Sequence, residues 1–301
     1  MGNKFDLLPQ LLHIFPKKIN TFYDLFGGSG VVTMNVKANK KVYNEINQNI
    51  LNILSLFKEY SPKEIDKHIR KRIDEFDLPT EGNDVRQPNV NEKRIEKYKK
   101  NYNNFRNFYN KSNKNYLDLY TLTFFSFCNM IRFNSKNEFN MPFGNRTYTE
   151  ENMLEIETAC YIMEKEKFEV SNKSAFDILD ETKFEKDDFV YLDPPYLNTE
   201  AIYNEKRAFG GWNIDDDYEL FKRLNKLNEN GVKWCMSNVK ENKGKKNKHL
   251  IEWANKNGYR VVGMNKNYSA LGKGSANTYE VCIINYEYEG EGFKVFQEKL
   301  F

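Results

Sequence analysis

Cysteine, histidine and proline are scarce in this 301-residue chain. Its four cysteines, Cys128, Cys160, Cys235 and Cys282, form no CxxC pair. That argues against a zinc site or a disulfide framework and leaves reduced core thiols as the expectation. His13, His68 and His249 are scattered, so no metal is expected. Long apolar runs are also missing: no window reaches the length needed to span a bilayer. The start "MGNKFDLLPQ" carries no apolar signal region, and Asp6 stands where myristoylation needs Ser or Thr. These absences lead to the expectation of a cytoplasmic protein with no membrane partner. Neither charge is in large excess. A net charge of +3 and a pI near 8.4 permit nucleic-acid binding without arguing for it, so the distribution of charge must decide.

What the chain does have is a core. It is 40% hydrophobic and 15% aromatic, enough for one large globular domain or two smaller ones. Helical spacing in "KFDLLPQLLHIF" is followed by a strand pattern in "INTFYDLF", the turn "GGSG", a helix-like "VVTMNVKAN" and a strand in "KKVYNEIN". Strand, glycine turn, helix and strand is how a parallel α/β sheet begins. Between about Ser55 and Thr149 the apolar residues thin out, and "NEKRIEKYKKNYNNFRNFYNKSNK" reads as a basic helical region with interleaved aromatics. A solvated helix face explains that composition equally well. The α/β rhythm returns from Glu150, with strands in "KFEVSN", "DFVYLD", "VKWCMSN" and "YEVCIINYEY" and helices ending at Gly231 and Gly258. The reading is a Rossmann-like, mostly parallel sheet with helices on both faces, formed by 1–54 and 150–301. A mostly helical block, 55–149, is inserted in it.

In "DLFGGSG", Gly28 and Gly30 follow a strand and precede a helix, where the backbone can approach a ligand closely. Glu45 ends the next strand, at the distance where an acidic side chain grips ribose hydroxyls. Thr33 occupies the place of the third glycine of the dinucleotide fingerprint, which disfavours a pyrophosphate. S-adenosylmethionine (SAM), a nicotinamide cofactor and a purely structural turn all stay open on these residues alone.

The stretch "FVYLDPPY", 189–196, narrows the choice. Two prolines fix their φ angles and stiffen the chain, so that the Asp193 carboxylate and the Pro194 carbonyl can project together as paired acceptors. Such a pair suits a substrate amino group with two N–H donors, and Tyr196 offers a ring on which a base can stack. An exocyclic amine on a heteroaromatic base is a poor nucleophile, because its lone pair is delocalised. Acceptors on both N–H bonds favour a tetrahedral nitrogen, and Asp193 stabilises the positive charge that a methyl transfer creates.

"DLFGGSG", "YNEIN" and "DPPY", in that order, resemble the SAM-dependent amino-methyltransferases, and most closely the Dam-like DNA adenine-N6 methyltransferases. "IRFNSKNEFNMPFG", Ile131 to Gly144, is similar to that family's target-recognition hairpin, with its R-[YF]-N-x(4)-FN-x-PFG pattern. "WCMSN" and "NTYEVCIINY" resemble its later segments. The resemblance implies a class I SAM-dependent methyltransferase fold in which 55–149 recognises DNA. It also implies that Lys4 meets the cofactor carboxylate. Asp24, Phe26, Gly28 and Gly30 would line the cofactor, Glu45 would hold its ribose, and Phe176 and Asp177 its adenine. Asp193, Pro194 and Tyr196 would take the target base, and Asp193 would also touch the cofactor. In the hairpin, Met130, Arg132, Asn134, Asn140, Pro142 and Arg146 are implied DNA contacts. Arg146 departs from the pattern, because Asn145 separates it from "PFG".

Base flipping costs roughly a few kcal/mol, which phosphate contacts from Lys and Arg at 93–114 and from Lys243, Lys245, Lys246 and Lys248 would offset. Arg132 has the fork for a bidentate contact to guanine. Asn134 and Asn140 read equally well as turn residues. Gly210 and Gly211 are candidate hinges of a lid, and "LTFFSFC" is read as core. The expected function is adenine-N6 methylation of duplex DNA, with GATC as first guess, by a monomer that is either solitary or paired with a restriction endonuclease. Cytosine-N4 or RNA amino-methylation and a catalytically silent DNA-binding protein are the alternatives.

Overall fold

Alternation along two central strands sets the layers. In β4 (Phe189–Leu192), Phe189 and Tyr191 join one buried cluster and Val190 and Leu192 another. In β5 (Lys233–Asn242), Trp234 and Met236 go to one side and Cys235 to the other. A strand buried on both faces must be covered by helices on both. One cover is α1 (Leu8–Ile14) and α2 (Val31–Asn35). The opposite cover is α8 (Ala175–Glu181), α9 (Ile214–Glu229) and α10 (Lys248–Lys256). The remaining strands are β1 (Thr21–Asp24), β2 (Lys40–Asn44), β3 (Phe168–Ser171), β6 (Lys245–Lys246), β7 (Arg260–Met264) and β8 (Thr278–Ile284).

The sheet runs β3-β2-β1-β4-β5-β8-β7, with β6 paired to β5. The first five are mutually parallel, whereas β8 lies antiparallel to β5 and β7. This is the Rossmann-like, mostly parallel sheet with helices on both faces that the sequence pattern predicts. Because β1 is flanked by β2 and β4, the strand order reverses there, and ligands of open α/β sheets bind beyond the carboxyl ends at such a switch point.

The computed structural model describes residues 4–81, 92–112, 114–197, 212–242, 244–264 and 278–288. Gly210, Gly211 and Lys243 lie outside these residues. Two compact units emerge: 2–46 with 167–301, which holds the sheet, and 47–166. Among the described residues no helix is long and apolar enough to cross a membrane, and no group of His, Cys, Asp or Glu could hold a metal ion.

The second unit contains α3 (Gln48–Glu59), α4 (Pro62–Phe76), α5 (Glu92–Lys111), α6 (Tyr116–Phe125) and α7 (Glu150–Lys165). In α5 the interleaved aromatics Tyr98, Tyr102, Phe105 and Tyr109 recur at helical spacing and are all buried. They form a core stripe, and Lys93, Lys97, Lys99 and Lys100 are exposed. Asp118, buried in α6, is held by Arg72 (Nε 2.6 Å) and His68 (Nε2 2.7 Å) of α4. Burial would push its carboxyl up, but the bonds from His68 and Arg72 outweigh that and hold it below the ordinary aspartate value. The "LTFFSFC" stripe divides: Phe124 and Phe125 are core, while Phe127 is exposed. The lysine-rich 242–248 stretch contributes β6, a short antiparallel addition to β5.

Candidate active site

At the carboxyl end of β1 the chain turns through Gly27, Gly28 and Gly30 into α2. Gly30 has φ +74°, a left-handed conformation that L side chains rarely adopt. The Gly28 amide donates to Glu45 Oε2 at 2.9 Å, and its carbonyl accepts from the Tyr43 hydroxyl at 2.6 Å. Glu45, just past β2, is therefore tied to the turn. Asn44 anchors the other side by donating to the Leu25 carbonyl (3.0 Å) and accepting from the Lys173 amide (3.0 Å).

Gly27 was not singled out by its sequence context, yet it is the tightest point of the turn. A Cβ there would sit 2.1 Å from the Tyr43 ring. Gly27→Ala is expected to displace that ring and its bond to Gly28, and to weaken ligand binding at the turn at least tenfold, with far-UV circular dichroism unchanged. Calorimetric titration with S-adenosylhomocysteine, the product of the cofactor that the sequence resemblance implies, checks it, and wild-type affinity would sink this assignment.

Asp24 ends β1 and is almost fully buried. Thr33 donates to its Oδ2 at 2.6 Å, whereas Oδ1 has no hydrogen-bond partner among the described residues. Burial pushes the carboxyl up to about 7 against the bond from Thr33, and the charges of Asp193 and Glu45 add to the rise. An orphaned buried acceptor is costly unless a donor arrives.

Beside β1, β4 runs into the Asp-Pro-Pro-Tyr corner. Tyr196 donates to Asp193 Oδ1. Lys4 donates to the Tyr196 hydroxyl at 2.5 Å and pairs with Asp193 at 2.9 Å. Glu280 on β8, unremarked in the sequence, brings a further carboxylate to 3.6 Å from the Lys4 ammonium. Burial alone would pull that ammonium down, but Asp193 and Glu280 outweigh it and keep its pKa above the ordinary lysine value. Burial, reinforced by the Asp193 charge, raises the Tyr196 hydroxyl well above the tyrosine value, so it stays a donor.

Phe176 and Asp177 open α8, after the Ser174 cap. Asp177 is exposed, and Phe176 shares ring contacts with Trp212, as does Phe26. Lys4, Asp24, Gly28, Glu45, Asp193 and Tyr196 are thus linked through one set of bonds and charges at the switch point. Two carboxylates, Asp193 and Glu280, pair with the single Lys4 ammonium, while Asp24 feels the charges of Asp193 and Glu45.

The hairpin residues lie in the helical unit. Segment 126–144 folds back as a hairpin held by two isolated bridges, Ser126 to Phe143 and Phe133 to Phe139, rather than by regular strands. Arg132 donates to Asn140 through Nε (2.8 Å to Oδ1) and Nη2 (3.1 Å to the carbonyl). The Asn134 carboxamide stitches the turn, accepting from the Lys136 and Glu138 amides and donating to Glu138 Oε2. Arg106 donates to the Met141 carbonyl and Lys114 to that of Asn137, so two of the basic side chains support the hairpin backbone. Met130 is partly buried against the helical core, and Pro142 and Arg146 are exposed.

A family model described as D12 class N6 adenine-specific DNA methyltransferase matches residues 1–264. The chain is 36% identical over 292 residues to the modification methylase StsI of Streptococcus sanguinis and 34% identical over 290 residues to the type II methyltransferase M.FokI of Planomicrobium okeanokoites. Each alignment covers 95% of this chain and 42% of the relative. The modification methylase LlaI of Lactococcus lactis subsp. lactis is 31% identical over 86% of this chain and 39% of its own length. The chain therefore spans about two fifths of the length of these curated relatives.

Proposed function

The chain belongs to the D12 class N6 adenine-specific DNA methyltransferase family, and from that premise we propose that it transfers a methyl group from SAM to the N6 amino group of adenine in a short duplex DNA site. The observation that carries this reading is the adjacency of the Asp-Pro-Pro-Tyr corner and the glycine turn at the carboxyl ends of neighbouring parallel strands, β4 and β1. An amine gripped at the one would face a methyl donor cradled at the other.

The residues present fit SAM. Its ammonium would meet the orphaned Oδ1 of Asp24, its carboxylate Lys4, its ribose Glu45, and its adenine Phe26, Phe176 and Asp177. When bound, SAM supplies an electrophilic methyl on a sulfonium. This chain's own part is to hold the target nitrogen with the Asp193 carboxylate and the Pro194 carbonyl, to stack the base on Tyr196, and to offset the charge that develops on the amine.

The adenine is reached by flipping it from the duplex. In the helical unit, Arg132 is held by Asn140 in a fixed orientation, which suits a base-reading fork, and Asn134 keeps the turn. Met130, Pro142 and Arg146 flank this reader, and exposed lysines of α5 would meet phosphates. GATC is the proposed site, supported by the likeness of the hairpin to the family's target-recognition segment. The relatives' names as modification and type II methyltransferases support a partner endonuclease that cuts the same site on cytoplasmic DNA, a solitary methylase being the other reading.

Expression in a host without adenine methylation, followed by sequencing that detects modified bases, tests the reading. N6-methyladenine confined to one short context is expected. Modification elsewhere than GATC would change the site alone, and unmodified adenine throughout would overturn the reading.

A further inference from the structure

Trp212 has no role in the chemistry described so far, yet its indole touches two of the proposed cofactor residues. The ring centroids lie 5.6 Å from Phe26, edge-on at 82°, and 5.7 Å from Phe176, tilted at 40°. All three rings are partly exposed. Phe176 is itself braced: Arg223 lies 4.7 Å from its ring centroid and is ion-paired to Asp180 and Glu219.

Trp212 is held at its other end. It immediately precedes Asn213, the N-cap of α9, and its Nε1 donates to Asp217 Oδ1 at 2.7 Å. Asp217 stands four positions into the helix, so cap-preceding and fourth helical residues are joined as in a hydrophobic staple, here by a hydrogen bond. The carboxylate is only 1% exposed, and its other oxygen, Oδ2, lies 2.7 Å from His249 Nε2 at the start of α10. A buried carboxylate with a partner on each oxygen fixes the indole plane. The committed N–H leaves the indole only its π system and its edge for any ligand.

We propose that Trp212 is a further cofactor-binding residue, completing with Phe26 and Phe176 a three-ring wall for the purine of SAM, and that Asp217 and His249 are its positioning residues. The proposal rests on the SAM reading of the site. Because the wall offers area and no polar contact, it should favour any ligand that carries the purine and be blind to the sulfonium.

The test uses the full chain, calorimetry with SAM, S-adenosylhomocysteine and adenosine, and tryptophan emission. Trp212→Ala is expected to weaken all three ligands by a common factor of roughly ten, about 1.4 kcal/mol. Trp212→Phe, which keeps a ring, should weaken them about threefold and lose the emission change that S-adenosylhomocysteine causes in the wild type. Trp253→Phe, which leaves the wall intact, should keep that change. Asp217→Leu should behave like Trp212→Ala, with Asp217→Asn closer to wild type because it retains an acceptor for the indole. Wild-type affinities in Trp212→Ala, an unaltered emission change in Trp212→Phe, or a loss confined to SAM would overturn the inference while leaving the SAM site standing. Failure of the wild type to bind any of the three ligands would overturn both.

Discussion

Asp193→Ala is expected to lower the rate of methyl transfer by roughly a hundred- to a thousandfold, the usual cost of removing a preorganised group that faces developing charge. Attack by the amine puts a positive charge on nitrogen, and the carboxylate is the anion that the corner presents to it. Lys4 retains Glu280 as counter-ion in the variant. Cofactor affinity should therefore fall less than tenfold, and DNA binding should persist. Single-turnover transfer, with calorimetry for the cofactor and gel shift for DNA, separates the effects. Wild-type transfer would exclude Asp193 from the chemistry, and loss of DNA binding would make its role structural.

Asp24 carries the second large effect. Its carboxyl has an ordinary value of 3.8 and is pushed up to about 7 in the folded chain. Between these values the folded state holds a proton that the unfolded chain has lost. The stability this contributes is complete below pH 3.8, declines as pH rises towards 7, and is gone above it. The gap between 3.8 and about 7, at ~1.4 kcal/mol for each tenfold in proton affinity, puts the swing at about 4 kcal/mol. Asp24→Asn cannot titrate, so the difference in unfolding free energy between variant and wild type should change by about that amount between pH 4 and pH 8, in favour of the variant at pH 8. Urea titrations at both pH values check this, and parallel curves would contradict it. A cation placed against Oδ1 should reverse the cost, so that cofactor binding near pH 7 releases a proton. Calorimetry in buffers of different ionisation enthalpy reads that release directly.

Much of the sheet unit was legible because its signals are local. Strand, glycine turn and helix around "DLFGGSG" follow from period and from glycine, and the stiffness of Pro194 and Pro195 from the two side chains alone. The antiparallel insertion of β8 between β5 and β7 was not legible, since strand order depends on partners far apart in sequence. Neither was the part played by Glu280, which reaches Lys4 across a separation no motif spans. Trp212 belongs to none of the sequence motifs, and only the tertiary contact with Asp217 and His249 gives it a fixed orientation. The aromatics of α5 were ambiguous for a different reason. A 3.6-residue stripe of Tyr and Phe reads the same whether it faces a core or a ligand, and burial alone decides for the core.

The most direct measurement is the identity of the methylated nucleoside. Incubating the chain with duplex DNA of varied sequence and methyl-labelled SAM, digesting the DNA and separating the nucleosides should place the label in N6-methyldeoxyadenosine, and Asp193→Ala should leave almost none. Label in N4-methyldeoxycytidine, or undiminished label with the variant, would contradict a corner that grips the amine of adenine.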